Sequence, residues 1–332
     1  MARMKTAILG ATGLVGREII RLLEDHTLCA GDPIFLASTL SEGEQLPFKN
    51  DDVPVQAVQG FDFSGVELVF CALPEDAAVT AIEDAVKAGC KVIDLSGITR
   101  KTGALPIIPE LNASALQKVA TSSGAVYSPE PAAIQLALVL NALKSSVHTK
   151  DIQTTVLYGT GRSGTKAMDE LYQQSIGLVG GAGAEGMMGE LFPAQIAFNC
   201  IPMVGKTADG VQTSIEEAVK HDVLAFAGVE PIVTGITIPS FVGCSQSVVI
   251  KTDKHLMPGD VRNILEGNPS LRVIDDLEKG EVSTPFGSAE TDPIYISRIR
   301  TGKDYIQLWI SSDTLRKGSA LNALQIAEAI AA

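Results

Sequence analysis

The stretch Lys5-Thr-Ala-Ile-Leu-Gly10-Ala-Thr-Gly13-Leu-Val-Gly16-Arg-Glu-Ile-Ile-Arg-Leu-Leu23 decides the fold. Lys5 to Leu9 is a short apolar run and reads as a buried strand. Three glycines follow at G-x-x-G-x-x-G spacing. From Leu14 to Leu23 apolar residues recur at helical intervals. Strand, glycine turn and helix in this order give the glycine pattern its meaning. The first glycine permits a tight turn, the second lets backbone approach a phosphate, and the third lets the helix pack on the strand. Free N–H groups at the helix start then favour an anion. The expected nucleotide contacts are Gly10, Thr12, Gly13, Leu14 and Val15. A turn kept for its fold and binding nothing is the competing reading.

Beyond the turn the first half alternates strands with helices. Pro33 to Ala37, Val66 to Cys71, Lys91 to Asp94 and Ala125 to Tyr127 read as strands. Helices are expected near Glu75 to Ala88 and Ala132 to Leu143. This alternation predicts an α/β, Rossmann-type, doubly wound parallel sheet. The second half reads differently. Asp151 to Tyr158, Pro231 to Ile238, Ser245 to Thr252, Ile294 to Arg300 and Tyr305 to Ser311 are longer strands, several with polar residues alternating along one face. Helices at Lys166 to Gln174, Ser214 to Phe226 and Pro258 to Glu266 interleave. A second, α+β domain is predicted. Glycine-rich Gly177 to Gly189 reads as a mobile loop, and Asp313 to Ala332 as one amphipathic helix.

Composition narrows the function. The 332 residues carry a net charge of −13, which repels a phosphate backbone and argues against nucleic acid. Aromatics make up 5%, so the core is aliphatic. The five cysteines are scattered, which fits a reducing compartment without disulfides. Dispersed histidines give no zinc pattern, so no metal is expected. No apolar run reaches the roughly 18 residues of a membrane span, and the N-terminus does not read as a signal peptide. The expectation is a cytoplasmic protein with no membrane partner.

The end of the second strand bears on the cofactor. NAD sites place an acid there, and NADP sites a cation near the 2′-phosphate. Here the sequence is Leu36-Ala37-Ser38-Thr39-Leu40-Ser41-Glu42, with no Lys or Arg before Lys49. Ser38 is left as a hydrogen-bonding candidate, and neither dinucleotide is well served.

Four ordered motifs resemble the aspartate-semialdehyde dehydrogenase family. They are Gly10 to Gly16; Asp94-Leu-Ser-Gly-Ile-Thr-Arg100 with Pro106-Ile-Ile-Pro-Glu110-Leu-Asn112; Phe192-Pro-Ala-Gln-Ile-Ala-Phe-Asn199; and Leu315 to Glu328. Among that family the chain most resembles the Usg-type paralogues. The resemblance implies a Rossmann domain over 1–128 with 313–332, and a dimerisation domain over 129–312 that pairs two copies into a homodimer. It also implies NADP, a cysteine nucleophile, a histidine acid–base and basic residues for phosphate and carboxylate. Asn322 falls on the cofactor side, and Arg100 is the candidate for an anionic substrate. A surface arginine paired with Glu110 or another carboxylate is the alternative for Arg100.

The reacting set itself departs from the family. The segment that holds the nucleophile matches Ser128-Pro-Glu130-Pro131-Ala-Ala-Ile-Gln135, so Pro131 stands at the cysteine position. No cysteine lies between Cys90 and Cys200. The substrate arginine is matched by Thr237, the histidine by Cys244 and a glutamate by Gln246, with no Lys, Arg or His between His221 and Lys251. The phosphate-holding lysine corresponds to Leu224. Loss of several members of one catalytic unit predicts a chain inactive in the semialdehyde reaction. The alternative is an oxidoreductase of altered specificity, with Cys244 facing the old cleft and Glu130 as a base. Against that stand two plainer roles: Cys244 as a small buried hydrophobe and Glu130 as a carboxylate meeting a helix dipole.

Overall fold

The computed structural model describes residues 2–117, 124–181, 189, 191–207 and 209–332. The chain divides into two compact units, Met1–Pro129 with Ser319–Ala332, and Glu130–Gly318. The chain thus returns to the first unit at Ser319, later than the expected 313.

The first unit contains strands β1 (Thr6–Leu9), β2 (Ile34–Ala37), β3 (Gln45–Phe48), β4 (Asp51–Ala57), β5 (Leu68–Cys71), β6 (Lys91–Asp94), β7 (Leu105–Pro106) and β8 (Gly124–Tyr127). Among the described residues they form one sheet in the order β3-β4-β2-β1-β5-β6-β8-β7. Every pair is parallel except β3 with β4. β1 and β5 are buried at every position, as strands covered on both faces must be. Helix α1 (Leu14–Glu24) turns Gly16, Ile19, Ile20 and Leu23 inward, and α2 (Glu75–Lys87) buries Ala78, Ala81, Ile82 and Ala85. The strand order reverses at β1, which has β2 on one side and β5 on the other. Such a reversal opens a crevice at the carboxyl ends of the strands.

The β3–β4 hairpin was not legible in the sequence. Pro47, Pro54 and the Asp51-Asp52 pair weaken its strand signal, and an edge position tolerates them. It is held by Leu46 and Phe48, the latter meeting Phe35 edge-on at 6.3 Å between ring centres.

The second unit is built on β9 (Thr149–Tyr158), β10 (Ile232–Thr237), β11 (Cys244–Thr252), β12 (Leu271–Val273), a hairpin of β13 (Asp275–Asp276) with β14 (Glu281–Val282), β15 (Ile294–Thr301) and β16 (Tyr305–Ser312). The large sheet runs β10-β9-β11-β16-β15-β12. It is mixed: β9–β11, β11–β16 and β15–β16 are antiparallel, whereas β9–β10 and β12–β15 are parallel. One face buries Ile152, Thr154, Val156, Val248, Ile250, Leu308 and Ile310. Helix α3 (Pro131–Leu143) is apolar almost all round and nearly fully buried. The opposite face carries Gln153, Thr155, Leu157, Ser247, Val249, Gln307 and Trp309, all intermediate or exposed.

Helix α4 (Thr165–Val179) runs five residues past the expected end, so Gly177 is helical rather than part of a loop. Gly183 and Gly186 lie outside the described residues. Helix α5 (Ser214–Ala227) opens with a capping box: Thr213 Oγ1 accepts from Glu216 N at 3.3 Å, and Glu216 Oε2 accepts from Thr213 N at 2.8 Å. Helix α6 (Pro258–Glu266) falls where expected.

The chain end departs from the single amphipathic helix. Asp313 takes the first N–H groups itself, accepting from Leu315 N at 2.6 Å and Arg316 N at 3.2 Å. A π turn over Arg316–Ala320 follows, and only then α7 (Leu321–Ala331), most of which is buried. Among the described residues no helix is long and apolar enough to cross a membrane.

Candidate functional site

In the first unit the glycine turn sits at the strand-order reversal. Gly10 has φ +81°, and a Cβ there would lie 2.5 Å from Ala72 O, just past β5. A Cβ on Gly16 would lie 2.1 Å from Gly10 O. Both positions therefore require glycine. Gly13 is exposed, and its added Cβ would meet only Gly10 O, at 3.3 Å. Its missing side chain thus clears space outside the chain, where a phosphate would approach. The start of α1 has no side-chain cap and no acid in its first turn, so its N–H groups remain open to an anion. Thr12, Leu14 and Val15 stand at this start as expected. Arg17 Nε donates to Thr12 O at 3.0 Å and braces the turn. These features fit the diphosphate of a dinucleotide.

The far end of that site is less committed. After β2, Ser38 is extended and Thr39–Ser41 form one 3-10 turn. Leu40 is 95% exposed there. No charged side chain comes from Ser38 to Ser41.

Arg100 is placed by a loop that Asp94 organises. The buried Asp94 carboxylate accepts from Ser96 N, Ser96 Oγ, Gly97 N, Thr99 N and Thr99 Oγ1, at 2.6 to 3.2 Å. The Arg100 guanidinium lies 4.9 Å from the centre of the Tyr127 ring, a cation–π arrangement. Asn322 is fully buried, and its Nδ2 donates to Ile107 O at 3.0 Å and Ser128 Oγ at 2.9 Å. That amide ties α7 to the strand ends.

In the second unit Pro131 is the first residue of α3, where its missing N–H costs nothing. It is buried, and a Cβ on Gly318 of the π turn would lie 2.8 Å from Pro131 Cβ. The position has become packing. Beside it, Glu130 stands at the N-cap of the helix, but its side chain makes no capping hydrogen bond. Its carboxylate is 7% exposed and takes a bidentate pair from Arg162, Nε to Oε1 at 3.0 Å and Nη2 to Oε2 at 2.8 Å. Tyr158 Oη donates to Oε1 at 3.0 Å. The Glu130 N–H goes to Asp222 Oδ2 at 2.8 Å, from a buried residue of α5. Asp222 Oδ1 also lies 3.2 Å from His221 Nδ1. A carboxylate engaged by a guanidinium and a phenol is poorly disposed to act as a general base.

Cys244 is fully buried. Burial, reinforced by the negative charge of Glu130, pushes its thiol far above the ordinary range. A nucleophilic thiol needs the opposite setting, exposed and cationic. The position therefore fits the small buried hydrophobe rather than a reactive group facing a cleft. Around it runs a closed polar network. Gln135 Nε2 donates to Cys244 O at 3.2 Å and Ser312 Oγ at 2.7 Å. Gln246 Nε2 donates to Gln135 Oε1 at 2.7 Å and Ala132 O at 2.9 Å, and its Oε1 accepts from Thr154 Oγ1 at 3.0 Å. Thr237 Oγ1 donates to Met203 O at 2.7 Å. Among the described residues no buried side-chain polar atom lacks a partner, and no cluster of His, Cys, Asp or Glu could hold a metal.

The structure thus brings Glu130, Pro131, Cys244 and Gln246 together, joined by Arg162, Tyr158, Asp222 and Gln135. Sequence reading missed these four. The available signals were faint: a lone arginine in Gly159-Thr-Gly-Arg-Ser-Gly164, and an aspartate on the inward face of α5 four residues after Ala218. Alkylation with iodoacetamide at neutral pH is expected to label exposed Cys200 and leave Cys244 unlabelled until the protein unfolds; mass spectrometry of the digest reads this directly.

A doubly wound nucleotide unit followed by an α+β unit on a mixed sheet defines a two-domain, dehydrogenase-type protein. Residues 5–119 match the family model described as semialdehyde dehydrogenase, NAD binding domain, and residues 140–317 the one described as semialdehyde dehydrogenase, dimerisation domain. The chain belongs to the semialdehyde dehydrogenase family. It is 34% identical to a USG-1 protein homolog of Azotobacter vinelandii, over 97% of this chain and 96% of that one. It is 31% identical to an aspartate-semialdehyde dehydrogenase of Rickettsia bellii, with the same coverage of each. A probable aspartate-semialdehyde dehydrogenase of Pseudomonas aeruginosa superposes with a TM-score of 0.91 at 30% identity, covering 98% of both chains.

Proposed function

We propose that this chain is a non-catalytic, dinucleotide-binding member of the semialdehyde dehydrogenase family that acts as a homodimer in a binding or regulatory role. The observation that carries the reading is Pro131. The residue at the nucleophile position has no thiol and is buried against Gly318. The acid–base position is a buried, protonated thiol, Cys244. Without a nucleophile there is no covalent adduct from which hydride can leave. The open start of α1 supports retention of a dinucleotide through its diphosphate; when bound, its nicotinamide would supply hydride chemistry that this chain no longer directs. The partly exposed face of the second sheet, with Leu157, Val249 and Trp309, supports pairing with a second copy.

The test is turnover. Purified protein with aspartate semialdehyde, phosphate and NADP is expected to give no reduced cofactor above the enzyme-free rate. Pro131→Cys is expected to remain inactive, because the histidine and arginine positions are still Cys244 and Thr237. Turnover by the unmodified chain overturns the proposal, and its loss in Cys244→Ala would point to the oxidoreductase that uses this thiol.

A further inference from the structure

We propose that the nucleotide site of the first unit does not discriminate NAD from NADP, and that Ser38 and Leu40 are the positions that set this. The proposal rests on the dinucleotide reading above. In a doubly wound sheet the adenosine ribose lies beyond the carboxyl end of the second strand, and selectivity there is a matter of charge. An acid takes the ribose hydroxyls of NAD and repels a 2′-phosphate, whereas a cation does the reverse.

This chain offers neither charge. β2 runs parallel to β1 with Leu36 beside Leu9 and ends at Ala37. The backbone then passes through exposed Ser38 into the single turn Thr39–Ser41. Leu40, at 95% exposure, is the most exposed large apolar side chain among the described residues. The nearest basic side chain in sequence, Lys49, is directed elsewhere, with its ammonium 5.2 Å from the centre of the Phe48 ring. Glu42 closes this turn, its N–H bonded to Thr39 O, and so stands past the strand-end position that an NAD-selecting acid takes. In place of a charge this turn supplies the hydroxyls of Ser38, Thr39 and Ser41. A hydroxyl both donates and accepts, so it serves a ribose hydroxyl and a 2′-phosphate alike. Leu40 adds apolar surface that packs an adenine ring without regard to the 2′ group. The glycine turn and α1 hold the diphosphate that both dinucleotides share.

The experiment is a titration of the full chain with NAD and NADP at one fixed ionic strength, read by isothermal calorimetry. The two dissociation constants are expected to agree within about threefold, well short of the tenfold that a single well-placed charge confers. Ser38→Asp is expected to shift the ratio toward NAD by about tenfold or more, and Leu40→Arg toward NADP by a similar factor. Both residues are exposed, so circular dichroism and melting should be unchanged. A wild-type preference beyond tenfold for either dinucleotide overturns the proposal, as does a ratio that neither substitution moves. Absence of binding by wild type and both variants overturns the dinucleotide reading itself, and this inference with it.

Discussion

Replacing Arg162 with alanine is expected to cost about 3–5 kcal/mol, the range for removing one partner of a buried ion pair. The reason is what remains. Glu130 is 7% exposed and has the guanidinium on both oxygens, with Tyr158 sharing one. Without Arg162 the carboxylate keeps only the phenol. Its backbone is pinned by Asp222, so it cannot swing out to water. Removing the other partner should cost less. The Arg162 side chain is 32% exposed, so in Glu130→Gln the guanidinium is partly rehydrated and its pairing is discounted accordingly. The order Arg162→Ala worse than Glu130→Gln is therefore the specific expectation. At roughly 2–4 °C per kcal/mol for a domain of this size, the first variant should melt on the order of 10 °C lower. Calorimetry of both variants checks it. Arg162→Ala melting within about 2 °C of wild type would show that the pair is decorative.

The cost of that pair explains how a family site reads as vacant in sequence yet proves full in space. Losing a thiol, an imidazole and a guanidinium from one cavity leaves volume and hydrogen-bonding groups to be satisfied. Here Pro131 fills volume against Gly318, Cys244 fills it at the start of β11 beside Tyr158 of β9, and Gln135 with Gln246 close the polar groups among Ala132, Thr154 and Ser312. Of these positions only Gln246, matched to a glutamate, keeps its shape, and none carries a group that titrates near neutral pH. On the proposed non-catalytic reading, the family-wide likeness and the loss of the reacting groups belong to one chain without contradiction.

The parts of the fold legible in sequence were those with a local cause. The turn at Gly10 to Gly16 was legible because two of its glycines are sterically obligatory and lie between a strand and a helix. The long strands of the second unit were legible from alternation, and α6 from its proline start. The β3–β4 hairpin was not, since its prolines and aspartates argue against strand until Phe48 is seen against Phe35. The π turn before α7 was not: Asp313 takes the nearby N–H groups of Leu315 and Arg316, but Gly318 is fixed by packing against Pro131, far away in sequence. In the site, the absence of a nucleophile was legible from residue identity alone. The role of Glu130 was not. Its partner lies 32 residues away and its backbone anchor 92 residues away, separations that no periodicity encodes.

The refilled site also predicts a steep loss of stability in alkali. Cys244 and Tyr158 are both fully buried, and burial, reinforced by Glu130's negative charge, holds both well above their ordinary ranges. In the first unit burial pushes the Cys71 thiol up to about 12. All three stay protonated in the folded chain. Unfolding releases the thiols to titrate from 9.0 and the phenol from 10.0. Below pH 9 folded and unfolded states hold these protons equally, and the stability is fully present. Above it the unfolded state gives up protons that the folded state keeps, so stability falls as pH rises. Each group contributes up to about 1.4 kcal/mol per pH unit beyond its unfolded value. By pH 11 the second unit should lose about 4 kcal/mol from Cys244 and Tyr158 together, and the first about 3 kcal/mol from Cys71. Melting temperatures measured from pH 8 to 11 should therefore bend downward near pH 9. Cys244→Ala separates this effect from packing. It should start less stable, because a buried sulfur is lost, yet decline less steeply above pH 9. A Cys244→Ala curve parallel to wild type throughout would show that the thiol ionises as readily folded as unfolded, and would reopen its candidacy as a reactive group.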